Sequence, residues 1–108
     1  MRLGFSLGTL GPVAATHEAQ LTLTREAERL GYDSVWASEG YGVDPATTLA
    51  WLAAGTERIG LGTGVIQVTG RTAISAAMAA TTIDRVSGGR FLLGLGASGP
   101  QVAEGWGT

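Results

Sequence analysis

Four short strand-like runs recur along the chain, and helix-like segments separate them at the spacing of a βαβ unit, about 30 residues. The runs lie at residues 1–8, 33–37, 57–68 and 90–95. Strands joined through crossover helices lie parallel in one sheet. The alternation therefore predicts an α/β fold in which about four parallel strands alternate with three helices, and it constrains the fold more than any single motif does.

The first helix has signals at both ends and along one face. It is predicted to start near Thr16, and Gly31 is expected to end it as a left-handed cap. Its apolar stripe, spaced as one helical face, is expected to face the core. The stripe consists of Ala19, Leu23, Ala27 and Leu30.

The second and third helices are bounded by equally local signals. Asp44 followed by Pro45 is typical of a helix start, and Gly55 ends this short helix. A third helix is predicted over residues 72–87, where glycines at 88–89 stop it. Its small-residue face suits close packing on a sheet. That face consists of Ala73, Ala76, Ala77, Ala80 and Ile83.

The run at 57–68 carries glycine at every second position of its centre, at Gly60, Gly62 and Gly64. Alternate residues of a strand share one face, so these glycines clear that face of side chains. The cleared face suits the close approach of another backbone or a flat ligand, or alternatively only the packing of a helix. From these residues alone both interpretations stay open.

Charge and composition exclude several classes of function. The formal net charge is −2 and the seven basic residues, all arginine, are scattered, so no basic stripe for nucleic acid is expected. With no cysteine and one histidine, we expect neither disulfides nor a metal site. No apolar run could span a membrane and no signal peptide is recognisable, so a cytoplasmic protein without membrane contact is expected.

A glycine motif near the end of the chain literally matches a dinucleotide fingerprint. It consists of Gly94, Gly96 and Gly99 in the pattern G-x-G-x-x-G. The fingerprint belongs after the first strand of a βαβ unit and needs an acidic residue about 20 positions later. Here it follows the fourth strand and no such acidic residue follows it, so nicotinamide binding is disfavoured.

Polar candidates follow the second, third and fourth strands. Because parallel strands end at the same edge, these candidates are expected to meet at the carboxyl ends, where both open α/β sheets and (β/α)₈ barrels place their sites.

Five motifs together resemble the luciferase-like monooxygenase superfamily, and more narrowly its oxidoreductases that use the deazaflavin coenzyme F420. They are GYDSVW at 31–36, ERIGLGT at 57–63, SGGRF at 87–91, GLG at 94–96 and SGPQVAEGW at 98–106. The resemblance implies a (β/α)₈ (TIM) barrel, which takes about 250 residues. Residues 1–108 would then form a partial barrel domain, its N-terminal half, ending just after strand four.

The resemblance also implies a site at the mouth of that barrel. In the family the ring lies against a bulge after strand three that often contains a non-prolyl cis peptide, and the matching bond here is Gly64-Val65. Glu39, at the end of strand two, is the implied catalytic residue. The implied cofactor-binding residues are Thr63, Gly64, Val65, Gln67, Ser98 and Gly99.

Three functional hypotheses follow from the resemblance. The first is hydride transfer between coenzyme F420 and an organic small molecule by the complete, homo-oligomeric protein. The second keeps the fold and uses reduced FMN to activate oxygen. The third is that the 108 residues alone form an inactive truncated half-barrel. Some relatives that oxidise alcohols carry a histidine where this chain has Gly40, which weakens that chemistry here.

Overall fold

The computed structural model describes residues 1–8, 16–39, 43–97 and 99–100. In this part of the chain strands and helices alternate as predicted. The strands are β1 (Gly4–Ser6), β2 (Ser34–Ala37), β3 (Gly60–Thr63), β4 (Ile66–Gln67), β5 (Phe91–Leu92) and β6 (Leu95–Gly96). The helices are α1 (His17–Arg29), α2 (Pro45–Ala54) and α3 (Ala73–Val86). No helix within these residues is long and apolar enough to cross a membrane.

All strand pairs in the described chain are parallel. Four strands form one sheet in the order β1-β2-β3-β5, with Val35 of β2 opposite Phe5 and Leu61 of its neighbours. β4 and β6 pair separately beyond the carboxyl ends of β3 and β5. The α/β prediction is confirmed, and the arrangement is that of the first part of a (β/α)₈ barrel. The third and fourth predicted strands are each interrupted, at Gly64-Val65 and at residues 93–94.

Local signals placed the helix ends correctly. The Thr16 and Thr72 hydroxyls accept from backbone N–H groups of the first turns of α1 and α3, so both act as N-caps. Asp44 occupies the N-cap position of α2, with Pro45 following it. Gly31 has φ +89°, a left-handed conformation that side chains disfavour, as its predicted role as a cap requires.

The core lies between the sheet and the helices, with α2 contributing three of its fully or nearly fully buried side chains. The buried hydrophobic cluster consists of Ala27, Val35, Ala37, Leu49, Leu52, Ala53, Ile59 and Leu61.

The predicted apolar stripe of α1 is wrong in part. Ala19, Leu23 and Leu30 are exposed and Ala27 is the buried member of the stripe, whereas Thr24 is fully buried. The Thr24 hydroxyl donates to the Gln20 carbonyl oxygen at 2.7 Å, and a polar group satisfied in this way can be buried at little cost. The predicted face of α3 holds at Ala76 and Ile83, which are buried, but Ala73 and Ala77 are exposed.

The face that the β3 glycines clear is occupied at its centre by an indole. A Cβ on Gly62 would lie 2.4 Å from the Trp36 ring, so this glycine gives the ring its place. Trp36 Nε1 donates to the Ser34 hydroxyl at 2.9 Å, which fixes the ring along β2. At Gly64 the nearest atom would be 3.6 Å away, an ordinary contact. Gly62 therefore serves close packing, but against the Trp36 side chain of β2 and not against a helix, and Gly64 is the position that stays open.

At the amino ends of the strands, just before β3, one carboxylate accepts hydrogen bonds from three consecutive backbone N–H groups. Glu28 of α1 accepts from the N–H groups of Glu57, Arg58 and Ile59, with the shortest contacts at 2.6 and 2.8 Å. Burial alone would raise the pKa of Glu28, but the three hydrogen bonds outweigh it and hold that pKa below its ordinary value of 4.5.

This depressed pKa makes a pH-dependent contribution to stability. The contribution is complete above the unfolded-state pKa and is lost as pH falls through the lower folded-state pKa. We expect Glu28→Gln to lower the melting temperature of the complete gene product at pH about 7, and the difference from wild type to shrink by pH about 3. Glu57→Gln, a change at an exposed carboxylate, is the control and should show no such convergence. A pH-independent deficit in Glu28→Gln would contradict this role.

Candidate functional site

The candidate site is built around the β3–β4 bulge, residues 64–67, where the Gly64-Val65 peptide bond is cis as the resemblance implied. The end of β2 holds it from one side. Ser38 Oγ donates to the Gly64 carbonyl oxygen at 2.5 Å, and the Gly64 N–H donates to Ala37 O at 2.8 Å. The Glu39 N–H donates to Val65 O at 3.1 Å. The carbonyl oxygen of the cis peptide bond itself, Gly64 O, and that of the next residue, Val65 O, therefore both have a hydrogen-bond donor.

Glu39 attaches to the bulge through its side chain as well. Its Oε1 accepts the Gln67 N–H at 2.7 Å, and its carbonyl oxygen accepts from Gln67 Nε2 at 3.2 Å. Its Oε2 pairs with the Arg71 guanidinium, and only 8% of the Glu39 side chain is exposed. Both carboxylate oxygens are engaged by the protein.

Arg71 joins Glu39 to a second carboxylate. Its Nη2 also donates to Asp44 Oδ1 at 2.9 Å, and Asp44 Oδ2 accepts from the Thr47 hydroxyl. Burial would raise the pKa of Asp44, but the hydrogen bonds from Thr47 and Arg71 hold it below its ordinary value. The three ionised groups Glu39, Asp44 and Arg71 therefore form one cluster, the rim cluster, with a formal charge of −1.

Thr63 ties β3 to the β5–β6 connection. Its hydroxyl accepts the Gly94 N–H at 2.8 Å and donates to Gly94 O at 2.9 Å, and the residue is fully buried. The hydroxyl of this predicted cofactor-binding residue is thus used within the protein. A cofactor contact by Thr63 stays a prediction, and its observed role is to hold two strands together.

Gly64 and Val65 are the predicted cofactor-binding residues that the structure leaves accessible. Gly64 is exposed and Val65 is half-buried. A Cβ on Gly96 would lie 2.7 Å from Val65 Cγ2, so Gly96 makes room for the Val65 side chain from β6. The bulge therefore offers an open, side-chain-free surface at Gly64 with a packed aliphatic neighbour.

Gln67 contributes a buried acceptor to the same region. It is only 6% exposed, and because its Nε2 donates to Glu39 O, its Oε1 must point elsewhere. Among the described residues this oxygen has no hydrogen-bond donor. An unpaired buried acceptor is costly, so Oε1 is suited to an N–H or O–H donor.

The remaining predicted residues are Ser98 and Gly99. Gly99 is half-buried beyond β6, and Ser98 lies outside the described residues. Within the described ranges no group of three or more His, Asp or Glu side chains could hold a metal ion.

Sequence reasoning missed Arg71 and Ser38. A signal for Arg71 was present: it directly precedes Thr72, the N-cap of α3, where a cation meets the positive end of the helix dipole. A cation in that place needs carboxylate partners, and the nearest acidic residues in space come from about 30 positions earlier in the chain, as is usual for contacts across a βαβ unit.

The chain belongs to the luciferase-like monooxygenase family, whose model matches residues 1–108. It is 49% identical over 106 residues to Rv3520c of Mycobacterium tuberculosis, which is provisionally named a coenzyme F420-dependent oxidoreductase. Among solved structures it resembles monooxygenase RslO1 from Streptomyces bottropensis, with a TM-score of 0.87 and 30% identity. The FMN complex of the oxygenating constituent of 3,6-diketocamphane monooxygenase from Pseudomonas putida has the same fold, with a TM-score of 0.87 and 21% identity.

These proteins are all considerably longer than the chain. The match to the Mycobacterium protein covers 98% of the chain and 30% of that protein. The match to RslO1 covers 98% of the chain and 36% of RslO1, and the match to the FMN complex covers 99% of the chain and 32% of that protein. The chain therefore spans about a third of the length of its relatives.

Proposed function

We propose that the chain supplies the β3–β4 bulge and part of the cofactor site of an oxidoreductase that transfers a hydride between coenzyme F420 and a small organic molecule. The observation that carries the choice of cofactor is the 49% identity to a relative named for F420. The family as a whole consists of oxidoreductases and monooxygenases. The substrate and the complete activity are proposals for the complete gene product, since the chain spans only a third of that relative.

The described residues fit a flat ring. The exposed backbone at Gly64 leaves room for a planar group, and Gln67 Oε1 is a buried acceptor without a donor among the described residues, which a ring N–H that reached it would satisfy. When bound, the deazaflavin would supply the hydride chemistry. The chain's own residues Gly64, Val65, Gln67 and Gly99 would bind and orient it, together with Ser98, which lies outside the described residues.

Glu39 would lie beside the ring and would help to hold the bulge, without itself breaking or forming a bond. Its two carboxylate oxygens already bind the Gln67 N–H and the Arg71 guanidinium, which is a holding role within the protein. Its catalytic role stays a prediction, which F420 binding and turnover of the Glu39→Gln variant test.

Filling the open surface should remove cofactor binding. We expect Gly64→Val, in the complete gene product, to weaken F420 binding by about 100-fold, because its side chain would cover backbone that is exposed at Gly64 and that the ring is proposed to approach. Ala77→Val, which adds the same type of bulk on the exposed surface of α3, is the control and should bind F420 like wild type. The measurement is a fluorescence titration of F420. Unchanged affinity in Gly64→Val would remove the bulge from the proposed site.

A second candidate function keeps the site and exchanges the cofactor. The 30% identity and close structural similarity to monooxygenase RslO1 favour an FMN-dependent monooxygenase, and a protein of the same fold holds FMN. Oxygen consumption that depends on reduced FMN and on substrate would favour this function over hydride transfer with F420.

We also propose that residues 1–108 alone do not turn over substrate. The strands at the two edges of the four-stranded sheet, β1 and β5, are unpaired on one side within the described chain, and Leu3, Leu92 and Leu93 are exposed beside them. Such edges favour association over a stable monomer. Turnover by a monomeric 108-residue chain would contradict this proposal.

A further inference from the structure

We infer that Arg71 is a positioning residue, which acts through Glu39 to set the shape of the β3–β4 bulge and thereby the affinity for the ring. This inference rests on the proposed function for its consequence in binding. Its structural part, the coupling of Arg71 to the Gln67 backbone, can be tested without any cofactor.

The first step is the position of Arg71. It lies in the segment that joins β4 to α3, four residues beyond Gln67, and its guanidinium meets carboxylates from the end of β2 and the start of α2. It thereby links two connections at the carboxyl ends of the strands, the one from β2 to α2 and the one from β4 to α3. Only 18% of its side chain is exposed, so its ion pairs are poorly screened by water.

The second step is what Glu39 needs from Arg71. The Glu39 side chain is 8% exposed, and within the described part of the chain the other polar contact of its carboxylate is with the Gln67 N–H. Removing one partner of a buried ion pair leaves an uncompensated charge, which the protein relieves by exposing or neutralising it. Without Arg71 the Glu39 carboxylate would turn toward water and release the Gln67 N–H.

The third step is the consequence at the bulge. Glu39 contacts residues 65 and 67 through its N–H, carbonyl oxygen and carboxylate. Gln67 is held to Glu39 by two of these contacts, from its backbone N–H to the carboxylate and from its side-chain Nε2 to the Glu39 carbonyl oxygen. Displacing Glu39 would therefore also free the side-chain amide of Gln67, which carries Oε1. The exposed backbone at Gly64 and the acceptor Gln67 Oε1 would no longer be held at fixed positions relative to each other. A rigid planar ring that contacts both requires those positions to be fixed.

The rim cluster is not itself an anion site. Asp44 and Glu39 together outweigh the charge of Arg71, so the cluster's formal charge of −1 disfavours a phosphate or carboxylate group. Arg71 is accordingly assigned to holding the bulge and not to gripping an acidic tail of the cofactor.

The experiment uses the complete gene product and two readouts. In Arg71→Met we expect hydrogen exchange at the Gln67 amide to accelerate at least about tenfold, and the F420 dissociation constant to rise about tenfold. Exchange at the Ile66 amide, which donates to Gly94 O on the other strand, should change much less. Arg85→Met, the same change on the exposed face of α3, is the control and should leave both readouts at wild-type values.

The double variant Glu39→Gln/Arg71→Met separates positioning from a general structural role. It removes the buried charge while the amide oxygen of the new side chain can still accept the Gln67 N–H, so affinity should recover to within about threefold of wild type. If Glu39 itself reacts, Glu39→Gln will bind F420 normally but will not turn over.

The outcomes are distinguishable from those of the proposed function. Unchanged Gln67 exchange in Arg71→Met overturns the inference, and so does accelerated exchange with unchanged affinity or a double variant that fails to recover. A wild-type protein that does not bind F420 refutes the proposed cofactor, whereas the exchange data still decide whether Arg71 holds the bulge.

Discussion

Alanine at position 94 is expected to destabilise the complete gene product by about 3 kcal/mol, at the upper end of what overpacking costs. A Cβ on Gly94 would lie 2.1 Å from the Thr63 carbonyl oxygen. That oxygen belongs to backbone and cannot rotate away as the end of a side chain could. The strands would have to separate, and the Gly94 contacts with Thr63 and with the Ile66 N–H would break.

The matched control is Gly64→Ala, another glycine-to-alanine change at the same end of the sheet. There the new Cβ would meet only the Trp36 ring at 3.6 Å, so stability should change by less than about 1 kcal/mol. Denaturant unfolding of both variants measures the difference. Equal stabilities would show that β3 and β5 can part without cost, contrary to the structure.

Replacing Arg90 by methionine is the second large effect, and we expect it to cost about 3 kcal/mol. The guanidinium makes five contacts. Nε donates to Ser87 O at 2.6 Å, Nη1 donates to the Thr56 hydroxyl and Ile59 O, both at 2.9 Å, and Nη2 donates to Ala53 O at 3.1 Å and Thr56 O at 3.2 Å. Methionine keeps an apolar stem but leaves these acceptors, including carbonyls near the end of α2, without their donor.

Arg90→Lys should recover only part of this loss, because a single ammonium group cannot reach acceptors that lie around different edges of the planar guanidinium. Arg85→Met is again the control, and as an exposed change it should alter the free energy of unfolding by no more than about 0.5 kcal/mol. A lysine variant as stable as wild type would show that the positive charge near the end of α2, and not the fork of donors, does the stabilising.

The sequence predicted those features that local chemistry decides. The ends of the helices follow from Thr16, Asp44-Pro45 and Gly31, whose side chains or backbone freedom act within a few residues. The parallel sheet follows from the alternation of strands and helices. The cis bond at Gly64-Val65 came from the family resemblance, because neither residue carries a local signal for it.

Features that depend on distant partners could not be read from the chain. Arg90 and Glu28 each bind backbone groups about 30 residues away in sequence, and nothing near them indicates which groups these are. Leu23 was assigned to the core because it is apolar, yet the protein buries Thr24 after satisfying its hydroxyl locally. At the site the same limit applies: the family resemblance implies Glu39 at the end of β2, but it gives no indication of its partner Arg71.

Titration of the complete gene product with F420 and, separately, with FMN tests the proposed function most directly. The proposal predicts that F420 binds at least about tenfold more tightly than FMN, a difference of about 1.4 kcal/mol. Tighter binding of FMN, or no binding of F420, would contradict it and would leave the flavin-dependent monooxygenase as the function that this site supports.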